Sequence, residues 1–454
     1  MAGKFEAPRR KGRGLWLIVP LLLLLLAMGC LAMTLRVGRE EPTEGTLPSF
    51  TVPVEVTQLP SAETTEATEP PVEITANAAI AVQGDLLMHA TFFQQKYNPA
   101  CRLGTGEYDF SSIFRYLSPY TENADYAVAN LETTLGGDEF PYQGNPTFNC
   151  PDPILDAVKA AGYDLLLTAN NHSYDTLMTG IDRTLEKSRE AGLDTLGTRL
   201  NAEEDRFTVK EINGIKIGMV CYTYTMTMSG GKPKLNDNAP VAKPEQINYF
   251  SYNNLSGFYD EVGAIMEEMK AQGAEATMLY IHWGTEYEVE ENQTQRKIAQ
   301  KMCDLGFDVI VGGHPHVVQP MALLESTVDP AHKTVCIYSL GNAVSNQRRQ
   351  LMRLKTGHTE DGALFTVTFE KWSDGTVAVA DCNVLPTWVN LYENSDGKNE
   401  YNILPLDAQK REQWAEIFDV SEEVCQELQN SYDRTMAIVG DGLETCREYL
   451  AQRP

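Results

Sequence analysis

The chain has 454 residues, 43% of them hydrophobic and 22% charged, so it can bury a sizeable core and is neither fibrous nor wholly disordered. Its 63 acidic residues outnumber 37 basic ones, giving a formal net charge of −26. A surface of that sign repels a phosphate backbone and excludes a nucleic-acid partner.

Residues 1–14 carry Lys4, Arg9, Arg10, Lys11 and Arg13 against Glu6 and read as a basic cytoplasmic tail. Leu15 to Met33 comes next as 19 uncharged residues with six consecutive leucines, close to the roughly 20 that span a bilayer as a helix. With Glu40, Glu41 and Glu44 behind it, this run predicts a transmembrane anchor over 15–36, N-terminus inside and main domain outside the cell. A lipoprotein signal ending at Cys30 is the competing reading. Residues 37–76, rich in Glu, Thr and Pro, predict a disordered spacer, because so few apolar side chains cannot offset the entropy of ordering.

From residue 77 the pattern changes. Short apolar runs at 79–82, 126–129, 164–168, 215–221, 277–281, 309–311 and 335–338 predict strands. Amphipathic stretches at 152–161, 179–191, 260–272 and 293–305, each closed by a glycine, predict helices between them. Segments 363–370 and 377–385 flank Ser373-Asp374-Gly375 and predict a β-hairpin. Residues 77–400 therefore form one α/β domain, with 401–454 a helical segment on or beside it. Of nine cysteines, Cys101 and Cys150 stand in polar, Pro-bearing loop sequence and are the best disulfide pair for an oxidising compartment. No Cys-x-x-Cys occurs, which argues against a zinc–thiolate centre.

The polar residues just past the end of each strand carry the most information. Asp85 and His89 stand after the first; Asn130 and Glu132 after the second; Asn170, Asn171, His172 and Asp175 after the third. His282, Trp283 and Glu286 stand after the run at 277–281, His314 and His316 after the run at 309–311, and Asn342 after the run at 335–338. Ligands of open α/β sheets bind beyond the carboxyl ends of the strands. Five of the seven histidines fall in these segments. Imidazole, carboxylate and amide oxygens together suit a divalent Mn, Fe or Zn, and two such ions could share the Glu132 carboxylate. Arg348 and Arg349 begin the densest basic run outside the tail and could draw a polyanion towards such a site.

Six segments in this order, Gly84-Asp85 with His89, Asn130-Leu131-Glu132, Asn170-Asn171-His172, His282-Trp283-Gly284, Gly313-His314-Pro315-His316 and Ser339-Leu340-Gly341-Asn342, resemble the CapA capsule-synthesis family, associated with poly-γ-glutamate. That family is similar in fold to calcineurin-like metallophosphoesterases, so the resemblance implies a layered α/β/β/α sandwich over residues 77–400. It implies two divalent ions held by Asp85, His89, Glu132, Asn171, His282, His314 and His316, with Glu132 bridging. His172 takes the role of acid or transition-state contact, and Asp175 and Glu286 are further catalytic candidates. Asn130, Asn170, Trp283, Asn342, Arg348 and Arg349 are the candidate substrate contacts. Two positions depart from the phosphoesterase pattern: His89 lies four residues after Asp85 where Asp-x-His is usual, and Glu132 stands where Asp is usual. The function implied is capsule or poly-γ-glutamate synthesis or processing by a metal-bound hydroxide, with the polymer and other capsule-synthesis membrane proteins as partners. A nucleotidase-type phosphoesterase and a non-catalytic polymer tether are the alternatives.

Overall fold

The first strands are buried on both faces, with Ile80, Val82, Tyr126 and Val128 entering one apolar layer and Ala81, Ala127 and Ala129 the other, and that fixes how the layers stack. In a computed structural model that describes residues 72–94, 107–236, 238–395 and 397–452, the chain enters β1 (Ile74–Leu86), β2 (Tyr126–Leu131), β3 (Leu165–Leu167) and β4 (Asp194–Leu196). These four run parallel in the order β1-β2-β3-β4. Next come β5 (Phe207–Ile212), β6 (Ile215–Thr225), the ribbon β7 (Thr227–Ser229) and β8 (Lys232–Lys234), and β9 (Tyr249–Ser251). After them stand β10 (Ala276–His282), β11 (Val309–Gly313), β12 (Val318–Glu325), β13 (Lys333–Leu340) and the short β14 (Asn342–Val344). β15 (Asp361–Trp372), β16 (Val377–Glu393) and β17 (Asn399–Pro405) return antiparallel beside β1.

Two sheets result. One has the order β17-β16-β15-β1-β2-β3-β4 with β14 added at the end of β1; the other has the order β12-β13-β11-β10-β6-β5 with β9 beside β6. Val82, Val128, Met219, Met278, Val311, Ile337 and Phe365 pack between them. The outer face of the first sheet, with Ala127, Leu131 and Leu166, is covered by Ile113, Phe114, Ile154 and Val158. The outer face of the second, with Val220, Leu279 and Ile310, is covered by the helices Leu255–Ala271 and Gln293–Asp304 through Val262, Met266, Ile298 and Met302. This is a helix–sheet–sheet–helix stack. The Gln293–Asp304 helix starts on a capping box between Asn292 and Gln295, which satisfies donors that would otherwise be orphaned.

The expected strands and helices all appear, and the expected hairpin is longer than its apolar core, running to Trp372 on one side and Glu393 on the other. Residues 401–405 are not helical as expected: β17 extends the sheet across residue 400, pairing Leu391 with Tyr401 and Val389 with Ile403. Beyond it the helix Glu422–Leu450 buries Leu428, Ser431, Thr435, Val439, Leu443, Cys446 and Leu450 at helical spacing. Val439, Leu443, Cys446 and Leu450 reach into the core between the sheets, while Arg434 holds the buried Asp361 carboxylate with two bonds of 2.7 Å. The expected anchor, the spacer before residue 72 and Cys101 lie outside the described residues, so the Cys101–Cys150 pairing does too. Among the described residues no helix is long and apolar enough to cross a membrane.

Two glycines of this last helix should respond oppositely to alanine. A Cβ on Gly442 would sit 2.1 Å from the Met321 carbonyl oxygen of β12, whereas one on Gly440 meets nothing nearer than the Met436 methyl at 4.0 Å. Alanine gains about 1 kcal/mol of helix propensity at either place. At Gly442 the clash with rigid backbone costs about 1–3 kcal/mol and outweighs it. Denaturant unfolding should show Gly440→Ala stabilised and Gly442→Ala destabilised.

Candidate metal centre

The register of the sheets gathers the site. Asp85 pairs with Asn130 on one side and Asn342 on the other, and His282 pairs with Gly313 of β11 and Thr223 of β6. The first sheet thus delivers Asp85, Glu132 and Asn171, the second His282, His314 and His316, from strand ends that face one another.

Two groups of ligand atoms form, Glu132–His282–His314 and Asp85–Glu132–His316, each with its atoms within 4.8 Å of one another. Glu132 belongs to both. His282 Nε2 lies 3.4 Å from a Glu132 oxygen and 2.7 Å from Asn171 Oδ1. His316 approaches Asp85 Oδ2 at 3.3 Å through Nδ1 and Glu132 Oε1 at 3.9 Å through Nε2. Among the described residues, neither oxygen of the buried Glu132 carboxylate accepts a hydrogen bond, and the buried Nδ1 of His314 has no partner. Buried polar atoms are rarely left so, and a carboxylate without donors near an unpartnered imidazole nitrogen fits a cation. His314 Nε2 meets the Tyr224 hydroxyl at 3.0 Å, which leaves Nδ1 as the nitrogen for a ligand.

The protonation states suit that reading. Burial pushes His282 down to about 3 and His314 well below its ordinary value, and neutral imidazole is the form that ligates. Burial works to raise Asp85, but the hydrogen bond from His316 and the nearby His282 hold it below the usual range. Glu132 is driven well above its usual range by burial and then by Asp85, so without a cation it keeps its proton. A dication reverses that preference.

Backbone conformation supports the histidine pair. His314 and His316 have φ of 98° and 57°, in the left-handed region that β-carbon-bearing residues avoid at a cost of roughly 1–3 kcal/mol. A Cβ on Gly312 would lie 2.0 Å from the Tyr338 carbonyl oxygen and 2.5 Å from Trp283 Nε1, so a larger residue there would block the loop.

Next to this cluster stands an imidazole–carboxylate pair. His172 Nδ1 is 2.7 Å from Asp175 Oδ2, and Asp175 also accepts from Phe148 N at 2.6 Å, Asn238 at 2.9 Å and Asn236 at 3.2 Å. With Nδ1 engaged, Nε2 of His172 is left for proton exchange. Phe148 packs edge-on against His172 at 4.6 Å and against His89 at 5.3 Å.

Asn130 donates to Asp85 Oδ1 at 2.7 Å and Asn170 to Asn130 at 3.1 Å, while Asn342 Oδ1 lies 3.1 Å from His316 Nδ1. All three are buried and orient the ligand-type side chains. Glu286 is exposed at the rim, close enough to Glu132 to raise its affinity for a proton. Four expectations need correction. His89 joins neither ligand group: its Nδ1 faces Leu87 O at 3.1 Å and Asn346 N at 3.2 Å, because four residues of spacing carry it past the strand end. Trp283 is fully buried and donates to the Tyr338 carbonyl at 2.9 Å, so it packs behind the site and offers no surface to a substrate. Arg349 is held by Glu360 and Glu427, each at 2.9 Å or less. Arg348 bonds the Val389 carbonyl and lies 3.5 Å from Glu360, so both arginines fasten their own loop. Sequence reasoning missed Tyr224, Phe148, Asn236 and Asn238, which carry no motif and reach the site only through the fold.

Residues 79–347 match the family described as bacterial capsule synthesis protein PGA_cap, more than half of the chain. The chain belongs to this family. Among its relatives, the capsule biosynthesis protein CapA of Bacillus anthracis is 29% identical over 325 residues, 69% of this chain and 71% of that protein. The PGA biosynthesis protein CapA of Bacillus subtilis (strain 168) is 28% identical over 240 residues, 52% of this chain and 57% of that protein. The PGA_cap match contains both ligand groups and the His172–Asp175 pair.

Proposed function

We propose that this PGA_cap protein is a metal-dependent hydrolase or transferase acting on a γ-linked glutamate polymer at the outer face of the cell membrane. The observation that carries the reading is Glu132: a buried carboxylate with no donor on either oxygen among the described residues, shared by two imidazole-bearing ligand groups. Family membership and the name of the Bacillus subtilis relative, a PGA biosynthesis protein, support the polymer. The 15–33 apolar run supplies the anchor.

Asp85, Glu132, Asn171, His282, His314 and His316 would hold two divalent ions, which supply Lewis acidity and an activated water. The chain's own residues do the rest. Asn130 and Asn342 keep Asp85 and His316 oriented. Asp175 fixes the His172 ring so that Nε2 can give a proton to the departing amine when water, or an acceptor nucleophile, adds to the amide carbonyl. Water addition breaks one amide and leaves one new carboxylate and one amine.

Incubation of the full chain with γ-linked polyglutamate plus Mn or Zn tests this. Shorter chains and new amine ends should appear, and should disappear after chelation and return on re-addition of metal. A chain that retains no metal after purification and titration sinks the reading.

A further inference from the structure

We infer that the β7–β8 ribbon is a flap that grips the substrate, with Lys234 as its contact to an anionic group. The inference rests on the polycarboxylate substrate proposed above. Both stems of the ribbon are fastened to the site. Tyr224, before β7, sets its hydroxyl 3.0 Å from His314 Nε2. Asn236, after β8, reaches His172 Nδ1 and Asp175 Oδ1, each at 3.2 Å, and the Pro146 carbonyl at 2.6 Å. The ribbon therefore springs from between the ligand cluster and the His172–Asp175 pair.

Pairing of Thr227 with Lys234, Met228 with Pro233 and Ser229 with Lys232 gives the ribbon two chemically different faces. Thr227, Ser229, Lys232 and Lys234 share one. Met228 stands on the other, 42% exposed, with Met226 beside it at 64%.

The two lysines differ. Lys232 donates to the Ala242 carbonyl at 2.7 Å. Lys234 is half-buried, and among the described residues no acceptor meets its ammonium. Leu235 turns into a small apolar cluster with Tyr174, Val241 and Ile247, so strand alternation sends Lys234 away from that cluster. A half-buried, unpaired cation on a chain of net charge −26, two residues from the His172 contact, is placed to receive a carboxylate. Arg348 and Arg349 are already engaged by carboxylates and a carbonyl of their own chain.

Binding of a fluorescent γ-linked glutamate oligomer to the metal-loaded full chain, measured by polarisation over a series of salt concentrations, tests the flap. Lys234→Met should weaken binding about tenfold and flatten its salt dependence, while Lys234→Arg restores both. Lys270→Met removes the same charge from a distant surface helix and should bind like the parent. Metal content and melting temperature of all variants control for folding. If the parent binds and Lys234→Met matches it, or if Lys270→Met weakens binding equally, the flap assignment is overturned. If the parent itself fails to bind the oligomer, the polymer reading falls, and the flap with it.

Discussion

Glu132→Gln should remove metal binding from the whole centre while leaving the metal-free fold at least as stable as the parent. Glu132 is common to both ligand groups, so its loss disrupts both at once. Losing a supporting residue around a metal typically costs about 10–100-fold in affinity or activity, and losing a shared ligand should exceed that. The metal-free effect has the opposite sign. Burial and the neighbouring Asp85 make an ionised Glu132 costly, and an amide of the same shape is never ionised. Parent protein should therefore gain about 2.7 kcal/mol of stability from a metal at a hundred times its Kd, and the variant nothing. Metal analysis and melting curves with metal and with chelator read both effects.

The same buried group sets a pH dependence. Because Glu132 holds its proton above the usual range, metal must displace that proton, and affinity should fall as pH falls. His282, already neutral above about 3, adds no competition. Calorimetric titration in buffers of different ionisation enthalpy should detect the released proton. Metal affinity that is flat with pH, or unaffected by Glu132→Gln, would falsify the shared-ligand role.

His172→Ala should leave metal content unchanged and lower turnover by about 10²–10⁴-fold, the usual contribution of a positioned acid or base. Asp175→Asn should lower turnover as well, by a different route. Both Asp175 oxygens accept: Oδ2 from Phe148 N and His172, Oδ1 from Asn236 and Asn238. Whichever way an asparagine turns, its NH2 group meets donors, so the ring of His172 loses its anchor and the loop loses stability. The two variants separate chemistry from positioning. His172→Ala should keep the parent's metal affinity, and Asp175→Asn should melt lower. A His172→Ala protein with full turnover on γ-linked polyglutamate would remove His172 from the mechanism.

Much of the architecture was legible because it rests on local pattern. Seven apolar runs became strands, and four glycine-stopped amphipathic stretches became helices, since both periodicities report directly on which face is buried. The short pieces were not legible. β14 has three residues, and β7 and β8 have three each, too few for any period to show. β17 was hidden because its pairing partner β16 continues well past the apolar core that marked it.

At the site, the residue types at the strand ends were set by the sequence alone: Asp85, Glu132, Asn171, His282, His314 and His316 each stand just past an apolar run. Parallel strands necessarily end on one edge, so their convergence came from the α/β pattern. Only the tertiary structure decided which polar residues share one centre and which serve packing. Trp283 and Arg348 stand beside site residues in sequence, yet one packs under β13 and the other clamps its own loop. His89 is a histidine at a strand end, yet the extra residues of spacing take it away from the carboxylates. Tyr224 and Asn236 flank a ribbon with no motif, and β6 and its return bring both to the centre. Residue type and periodicity are local properties and can be read along the chain. Which side chains share a buried space is set by how two twisted sheets meet, and that is a property of the fold.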